Sequence, residues 1–474
     1  MQVLFVASEC APFIKTGGLA DVIGSLPKEL TKRGTETRVI MPKYGDIPAA
    51  FKEKMAVKGA YTVSVGWRQQ YCGVEELVHD GVHYYFIDNE YYFKRPGIYG
   101  FYDEAERYAF FCRAILDVLP HLDFVPDVLH CHDWHAGMVS VLLNAQYRHL
   151  PFYQTIRTAF TIHNLKYQGI FPYSILGNLF GLGDSYFTYD KVEFYGDVNY
   201  MKAGLVYSDL LTTVSETYAQ EIQTPYYGER LDGLLRAKRN SLFGIVNGVD
   251  YDVYNPATDP NLYVNYTDAA GKQMNKTALQ DELGLPVNPD IPVVALVSRL
   301  VQQKGLDLIA HVLEEILEID LQLVVLGTGE EKYEDLFRHV MHRWPNKVSA
   351  HFLFDEGLAS QIYAGADMFL MPSLFEPCGI GQLIALRYQT VPIVRETGGL
   401  KDTIQAYNRY TGEGNGFSFA HYNAHDMLDT IRQAVHYYHD KTVWFGIVKN
   451  GQNTDYSWNE SAKQYQKLYE WGQN

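Results

Sequence analysis

Short apolar runs, each closed by a turn and followed by an amphipathic stretch, recur along this chain and constrain its fold more than any other feature. In the first half they are Val3–Ser8, Thr37–Met41, Val128–His132, Thr158–His163 and Leu210–Val214. In the second half they are Pro292–Val297, Leu321–Leu326, Met368–Met371, Val391–Val394 and Gly416–Phe419. Apolar strands separated by helices are buried on both faces, so this pattern predicts parallel sheets and an α/β chain. Leu19–Lys32, closed by Gly34, reads as a helix, as do Leu306–Ile319 and Asp426–Tyr438. Between the two series, Ile245–Asp250 followed by Asn255-Pro256 carries turn chemistry and reads as a hinge. We therefore expect one domain over 1–246 and a second over 247–456. The tail, 457–474, reads as a last helix. Ser457 and Glu460 fit a capping box, and Trp458, Ala462, Tyr465, Leu468 and Tyr469 share one face; we expect it to cross back to the first domain, although the pattern alone fits docking on the second nearly as well.

A length of 474 residues leaves room for a sizeable core in each domain. The net charge of −16 argues against nucleic acid or an anionic membrane as partner. No apolar run approaches the length of a membrane span, and no signal-type segment opens the chain. The five cysteines are scattered and form no CxxC pair, which speaks against disulfides and zinc. Together these features predict a cytoplasmic protein. The 37 tyrosines and 24 phenylalanines suit sugar rings, although most will fill cores.

In open parallel sheets, ligands bind beyond the carboxyl ends of the strands. Two similar turns lie there: Lys15-Thr16-Gly17-Gly18-Leu19 after the first strand, and Thr397-Gly398-Gly399-Leu400 after a late one. A glycine pair entering a helix lets backbone N–H groups approach an oxyanion, although such turns also occur with no ligand at all. Arg299 and Lys304 follow another strand and together could hold a diphosphate, with Lys15 a third cation. Glu376 precedes Cys378-Gly379-Ile380-Gly381, a helix start suited to binding sugar hydroxyls beside a phosphate turn. Cys378 has no dedicated histidine partner and reads as a pocket wall. His130-Cys131-His132-Asp133-Trp134-His135 tempts a metal reading, but it completes no known ligand spacing. A strand end offering Asp133 and His135 to a ligand fits better, and His163-Asn164 is another such polar tip.

Six motifs stand in order over nearly the whole chain: KTGGLADV (15–22), HCHDWHA (130–136), TIHNLKYQG (161–169), SRLVQQKG (298–305), SLFEPCGIGQL (373–383) and ETGGLKD (396–402). On these the chain closely resembles the bacterial glycogen synthases and plant starch synthases. The resemblance implies a GT-B fold, two Rossmann-like parallel-sheet domains facing across a deep cleft. It implies transfer of glucose from ADP-glucose to the non-reducing 4-OH of an α-1,4-glucan such as glycogen or a maltooligosaccharide. Retention of configuration, no metal and no cofactor besides the donor substrate are implied with it. Lys15, Gly18, Arg299 and Lys304 match diphosphate contacts, with Gly17 beside them, and His163 matches the histidine at the glucosyl 6-OH. Glu376 matches the carboxylate near the donor sugar and Asp133 an active-site aspartate. Phe354 falls where the family stacks an aromatic ring on adenine. Asn164, Cys378, Gly379, Ile380, Gly381, Thr397 and Gly398 complete the expected donor-binding set.

Many related retaining transferases carry a second glutamate eight residues after the first, where this chain has Ile384. That departure favours the starch and glycogen synthase group over sucrose, trehalose or lipopolysaccharide-type relatives. The lack of a plastid-import extension fits the bacterial form. A UDP-glucose donor stays open, and a homo-oligomer is compatible with the sequence.

Overall fold

The computed structural model describes residues 1–471; the expected end of the last helix, 472–474, lies outside the described residues. The chain divides into two compact units. Unit 1 comprises Met1–Val214, Ala219–Ile245 and the chain from Ser461 on, and unit 2 comprises Ser215–Tyr218 and Val246–Glu460.

Unit 1 is built on strands β1 (Gln2–Val6), β2 (Glu36–Pro42), β3 (Ala56–Val65), β4 (Arg68–His79), β5 (Val82–Asp88), β6 (Val128–His132) and β7 (Arg157–Ile162). A small antiparallel sheet of β8 (Ile170–Pro172), β9 (Glu193–Phe194) and β10 (Asp197–Asn199) follows, and β11 (Leu210–Thr213) and β12 (Leu242–Gly244) complete the unit. The main sheet runs β12-β11-β7-β6-β1-β2-β5-β4-β3. Val3, Leu4, Phe5 and Val6 are wholly buried, which is why β1 shows no polar alternation.

The sheet is not parallel throughout. β4 runs antiparallel to both β5 and β3. Asp80 (φ 49°) and Gly81 (φ 80°) form the two-residue turn joining β4 to β5, and Gly66-Trp67 joins β3 to β4. Paired positive φ values match the right-handed twist of a hairpin. β3 and the first residues of β4 are largely solvated, so they lack the continuous apolar signature of the parallel strands, whereas β5 is mostly buried.

The helix Trp458–Glu470 reaches unit 1 from Ser461 on. Ala462, Tyr465 and Tyr469 are fully buried there. Gln466 bonds to Arg33 at 3.0 Å and to Thr35 at 2.9 Å, and the Tyr469 hydroxyl lies 2.6 Å from His130 Nδ1. At the helix start the Ser457 hydroxyl accepts from the Asn459 N–H at 3.4 Å, and the Ser457 N–H donates to Asp455 at 2.8 Å.

Unit 2 holds a six-stranded, wholly parallel sheet: β13 (Val293–Val297), β14 (Gln322–Leu326), β15 (Val348–His351), β16 (Met368–Met371), β17 (Val391–Arg395) and β18 (Phe417–Phe419). Its order is β15-β14-β13-β16-β17-β18. β15 escapes the sequence pattern because Val-Ser-Ala-His is short and only half apolar. The helices Leu306–Glu318 and Ala424–Tyr438 bury their apolar stripes on one face of this sheet. Leu279, Ile362, Leu383 and Tyr388 pack on the other.

Candidate active site

In each unit the residues singled out above collect beyond the carboxyl ends of the strands. In unit 2, the loop leaving β13 carries Arg299 and then turns at Gly305 (φ 83°). A methyl group there would sit 2.1 Å from the Pro372 carbonyl, so the fold needs glycine. This close approach sets Lys304 against the loop leaving β16. Its ammonium lies 2.8 and 3.1 Å from the two carboxylate oxygens of Glu376. The Ser373 hydroxyl donates to Glu376 at 3.0 Å, and the Arg395 guanidinium donates to the Ser373 carbonyl at 2.7 Å. Glu376 is 7% exposed, so its charge is held by this lysine and hydroxyl rather than by water. Arg299 is exposed, and its side chain has no ion-pair or hydrogen-bond partner among the described residues. Lys304 and Glu376, expected to serve different parts of a ligand, thus form one ion pair, with Arg299 as the available cation beside it in sequence.

The second glycine turn is a packing joint. Gly398 has φ 47°, and a methyl group on it would fall 1.8 Å from the Glu376 carbonyl. Gly399 N–H donates to that same carbonyl at 3.2 Å, and a methyl on Gly399 would strike Cys378. Thr397 is fully buried. The turn therefore fixes the backbone of the Glu376 loop. Cys378 is buried as well, and burial pushes its thiol up to about 12, which removes it as a nucleophile. Gly379 adopts φ 78° before the helix Gly381–Arg387. The N–H groups of Gly379 and Ile380 have no partner among the described residues. Phe354, on the loop after β15, is 82% exposed and free to stack on a planar ligand.

Unit 1 carries the first glycine turn. Gly17 is extended, and a methyl group on Gly17 or Gly18 would meet nothing within 4 Å. Here the fold does not require glycine, unlike at Gly398. Lys15, Thr16 and the Gly17 N–H, expected to face a diphosphate, are engaged within the loop itself. Glu9 accepts from Thr16 N–H at 2.6 Å and from the Thr16 hydroxyl at 3.0 Å, and it also faces the Gly17 N–H. Lys15 pairs with Asp21 at 2.9 Å. Tyr99 bridges Ser8 (2.6 Å) and Glu9 (3.2 Å). An internal carboxylate thus organises the loop, and burial raises that carboxyl above its ordinary range.

At the ends of β6 and β7, Asp133 adopts φ 58°, ψ −179°, a region almost reserved for glycine. Its carboxylate accepts the His163 N–H at 2.7 Å, and its own N–H donates to Thr161 at 3.0 Å. Burial lifts this carboxyl to about 7 against the pull of the His163 and Asn164 N–H groups. Such strain persists where the surroundings over-determine it, typically at functional sites. His163 is buried and neutral, pushed down to about 3, and its Nε2 lies 2.9 Å from His132 Nδ1. Both nitrogens of His130 are engaged, by Tyr469 and by Thr161 at 2.6 Å each, and the His135 ring stacks on Trp134 at 3.9 Å. Among the described residues no group of three or more acidic, histidine or cysteine side chains is placed to hold a metal.

Glu9, Tyr99, His132, Ser373 and Arg395 were not found from the sequence. Their partners come from loops at other strand ends, so sequence spacing does not expose them. Only Ser373 and His132 sit inside motifs that could have flagged them.

Two units built on parallel strands, each with polar residues beyond the strand ends, fit the architecture of a GT-B glycosyltransferase. Residues 2–237 match the starch synthase catalytic domain, and residues 281–443 match the glycosyl transferases group 1 family. The chain is 59% identical to a glycogen synthase of Desulforamulus reducens over 471 residues, covering 99% of this chain and 98% of that one. It is also 59% identical to a glycogen synthase of Geobacillus stearothermophilus, covering 99% and 97%. The catalytic domain of starch synthase IV from Arabidopsis thaliana, bound to ADP and acarbose, superposes with a TM-score of 0.91 at 33% identity, covering 99% and 98%. A sucrose-phosphate synthase from Thermosynechococcus elongatus shares the fold, with a TM-score of 0.62 at 15% identity over 99% and 98%. The chain belongs to the glycogen and starch synthase family.

Proposed function

We propose that this enzyme transfers glucose from ADP-glucose to the non-reducing 4-OH of an α-1,4-glucan, with retention of configuration and no metal ion. The observation that carries the reading is the Lys304–Glu376–Ser373 cluster beside Arg299, which offers a fixed cation and a buried carboxylate to a sugar phosphate. Arg299 and Lys304 take the diphosphate. As the bond between the anomeric carbon and the phosphate oxygen breaks, about one negative charge develops on the leaving phosphate, and these preorganised cations stabilise it. The acceptor hydroxyl attacks the same face of the sugar, and its proton passes to the departing phosphate oxygen. Glu376 orients the sugar, His163 meets the glucosyl 6-OH, and Phe354 stacks on the base. Lys15 joins the diphosphate by exchanging Asp21 for the ligand.

The test is ADP release from ADP-glucose in the presence of glycogen, run beside UDP-glucose. Extension of α-1,4 chains with ADP-glucose preferred by at least tenfold is the expected result. No nucleotide release with either donor would refute the reading, and faster turnover of UDP-glucose would reassign the donor.

A further inference from the structure

The mechanism uses His163 but leaves the histidine behind it without a role. His132 is wholly buried, and its Nδ1 faces His163 Nε2 at 2.9 Å. Burial keeps both rings neutral, with His163 held at about 3 and His132 well below its ordinary value. Two neutral imidazoles in contact share one proton, so one ring donates and the other accepts. If His163 donated from Nε2, His132 would accept at Nδ1 and carry its own proton on Nε2. That Nε2 is enclosed and has no hydrogen-bond partner among the described residues. The ring is covered by His130 at 4.2 Å and Phe5 at 4.9 Å, centroid to centroid, and neither is a hydrogen-bond acceptor for it. A buried N–H with no acceptor is rarer and more costly than a buried bare lone pair. The opposite arrangement leaves only a lone pair on that enclosed nitrogen.

We propose that His132 is a positioning residue that fixes the tautomer of His163. His132 donates from Nδ1 to Nε2 of His163, so His163 carries its proton on Nδ1 and offers a hydrogen-bond donor to the ligand. His163 Nδ1 has no partner among the described residues and is not among the enclosed unpaired atoms. The choice of proton position on one ring nitrogen is set by the bond the other makes. The identity of the accepting atom, a sugar 6-hydroxyl, rests on the proposed glucosyl transfer; the tautomer does not.

The protein labelled with ¹⁵N-histidine, without ligand, reports the tautomer directly through its multiple-bond ¹H–¹⁵N correlations. His163 is expected to show a protonated Nδ1 and a bare Nε2; a protonated Nε2 on His163 overturns the proposal. His132→Asn keeps a donor and is expected to keep both the His163 tautomer and kcat/KM for ADP-glucose within about threefold. His132→Phe removes the donor, and kcat/KM is expected to fall about tenfold, the worth of one hydrogen bond. That loss should disappear with the 6-deoxy donor. An unchanged His163 tautomer in His132→Phe also overturns the proposal. Should that variant not fold, the wild-type spectrum decides alone. Absence of ADP release in the wild type would sink the transfer reading and leave the tautomer result standing.

Discussion

Lys304 and Glu376 hold each other, so removing the lysine leaves the buried Glu376 carboxylate without its counter-ion. Lys304→Ala is expected to lower turnover by about 10²–10³-fold. Steady-state ADP release checks this, and activity within threefold of wild type would contradict the assignment. The two glycine turns separate cleanly at this scale. Gly398→Ala places a methyl against the Glu376 carbonyl at a positive φ, so it should destabilise unit 2 by several kcal/mol in denaturant unfolding. Gly18→Ala meets open space and should change stability by no more than about 1 kcal/mol while raising KM for ADP-glucose. Asp133 gives a pH signature. A carboxyl raised to about 7 binds its proton more tightly when folded than when unfolded. Its contribution to stability is therefore fully present in acid and declines as pH rises from about 4 to about 7. Asp133→Asn removes that decline, so its melting temperature relative to wild type should climb across this range. A constant difference would show that Asp133 titrates normally.

The parallel strands of both units were legible because each is buried on two faces and so reads as a continuous apolar run. The β3–β4–β5 extension was not, since β3 and the start of β4 are solvated and carry no apolar run, although His79-Asp80-Gly81-Val82 carries the turn signal that announces the β4–β5 hairpin. Lys15, Asp133, His163, Arg299, Lys304 and Glu376 were legible as charged or polar residues in the loops that follow strands. Which of them pair was not: the Lys304–Glu376 contact joins residues 72 apart, and the Glu9 carboxylate reaches Thr16 only because the loop folds back on it. The final helix shows the same division. Its apolar stripe was readable, whereas the Tyr469–His130 bond depended on where that stripe docked. Tyr469→Phe leaves the buried His130 Nδ1 unpaired and should cost roughly 1–3 kcal/mol. Hydrogen exchange should then rise first in residues 461–471 and leave unit 2 unchanged.

Unit 1 is finished only by the last stretch of the chain. Residues 1–245 alone would leave the surface that receives Tyr465 and Tyr469 open, so this fragment should melt well below the intact protein. A peptide of residues 458–471 added to it should raise that melting point. No rise would show that the helix contributes little. The first residues and the last described ones also converge here. The Gln2 N–H donates to Asp127 at 2.7 Å, Arg157 donates its own N–H to the Asp127 carbonyl at 3.0 Å, and its guanidinium reaches Trp471 at 2.8 Å. The main segment of unit 2 leaves and returns through neighbouring strands of chain, where Val249 N–H donates to Tyr456 at 2.8 Å. In topological terms it is a guest domain inserted into a host, entering and leaving through one doorway. Such a guest can be exchanged between family members at 246 and 460, with Ser215–Tyr218 carried along, while the host's circuit from β1 to the last helix stays closed. The host would then keep its own closed fold whichever guest it carries.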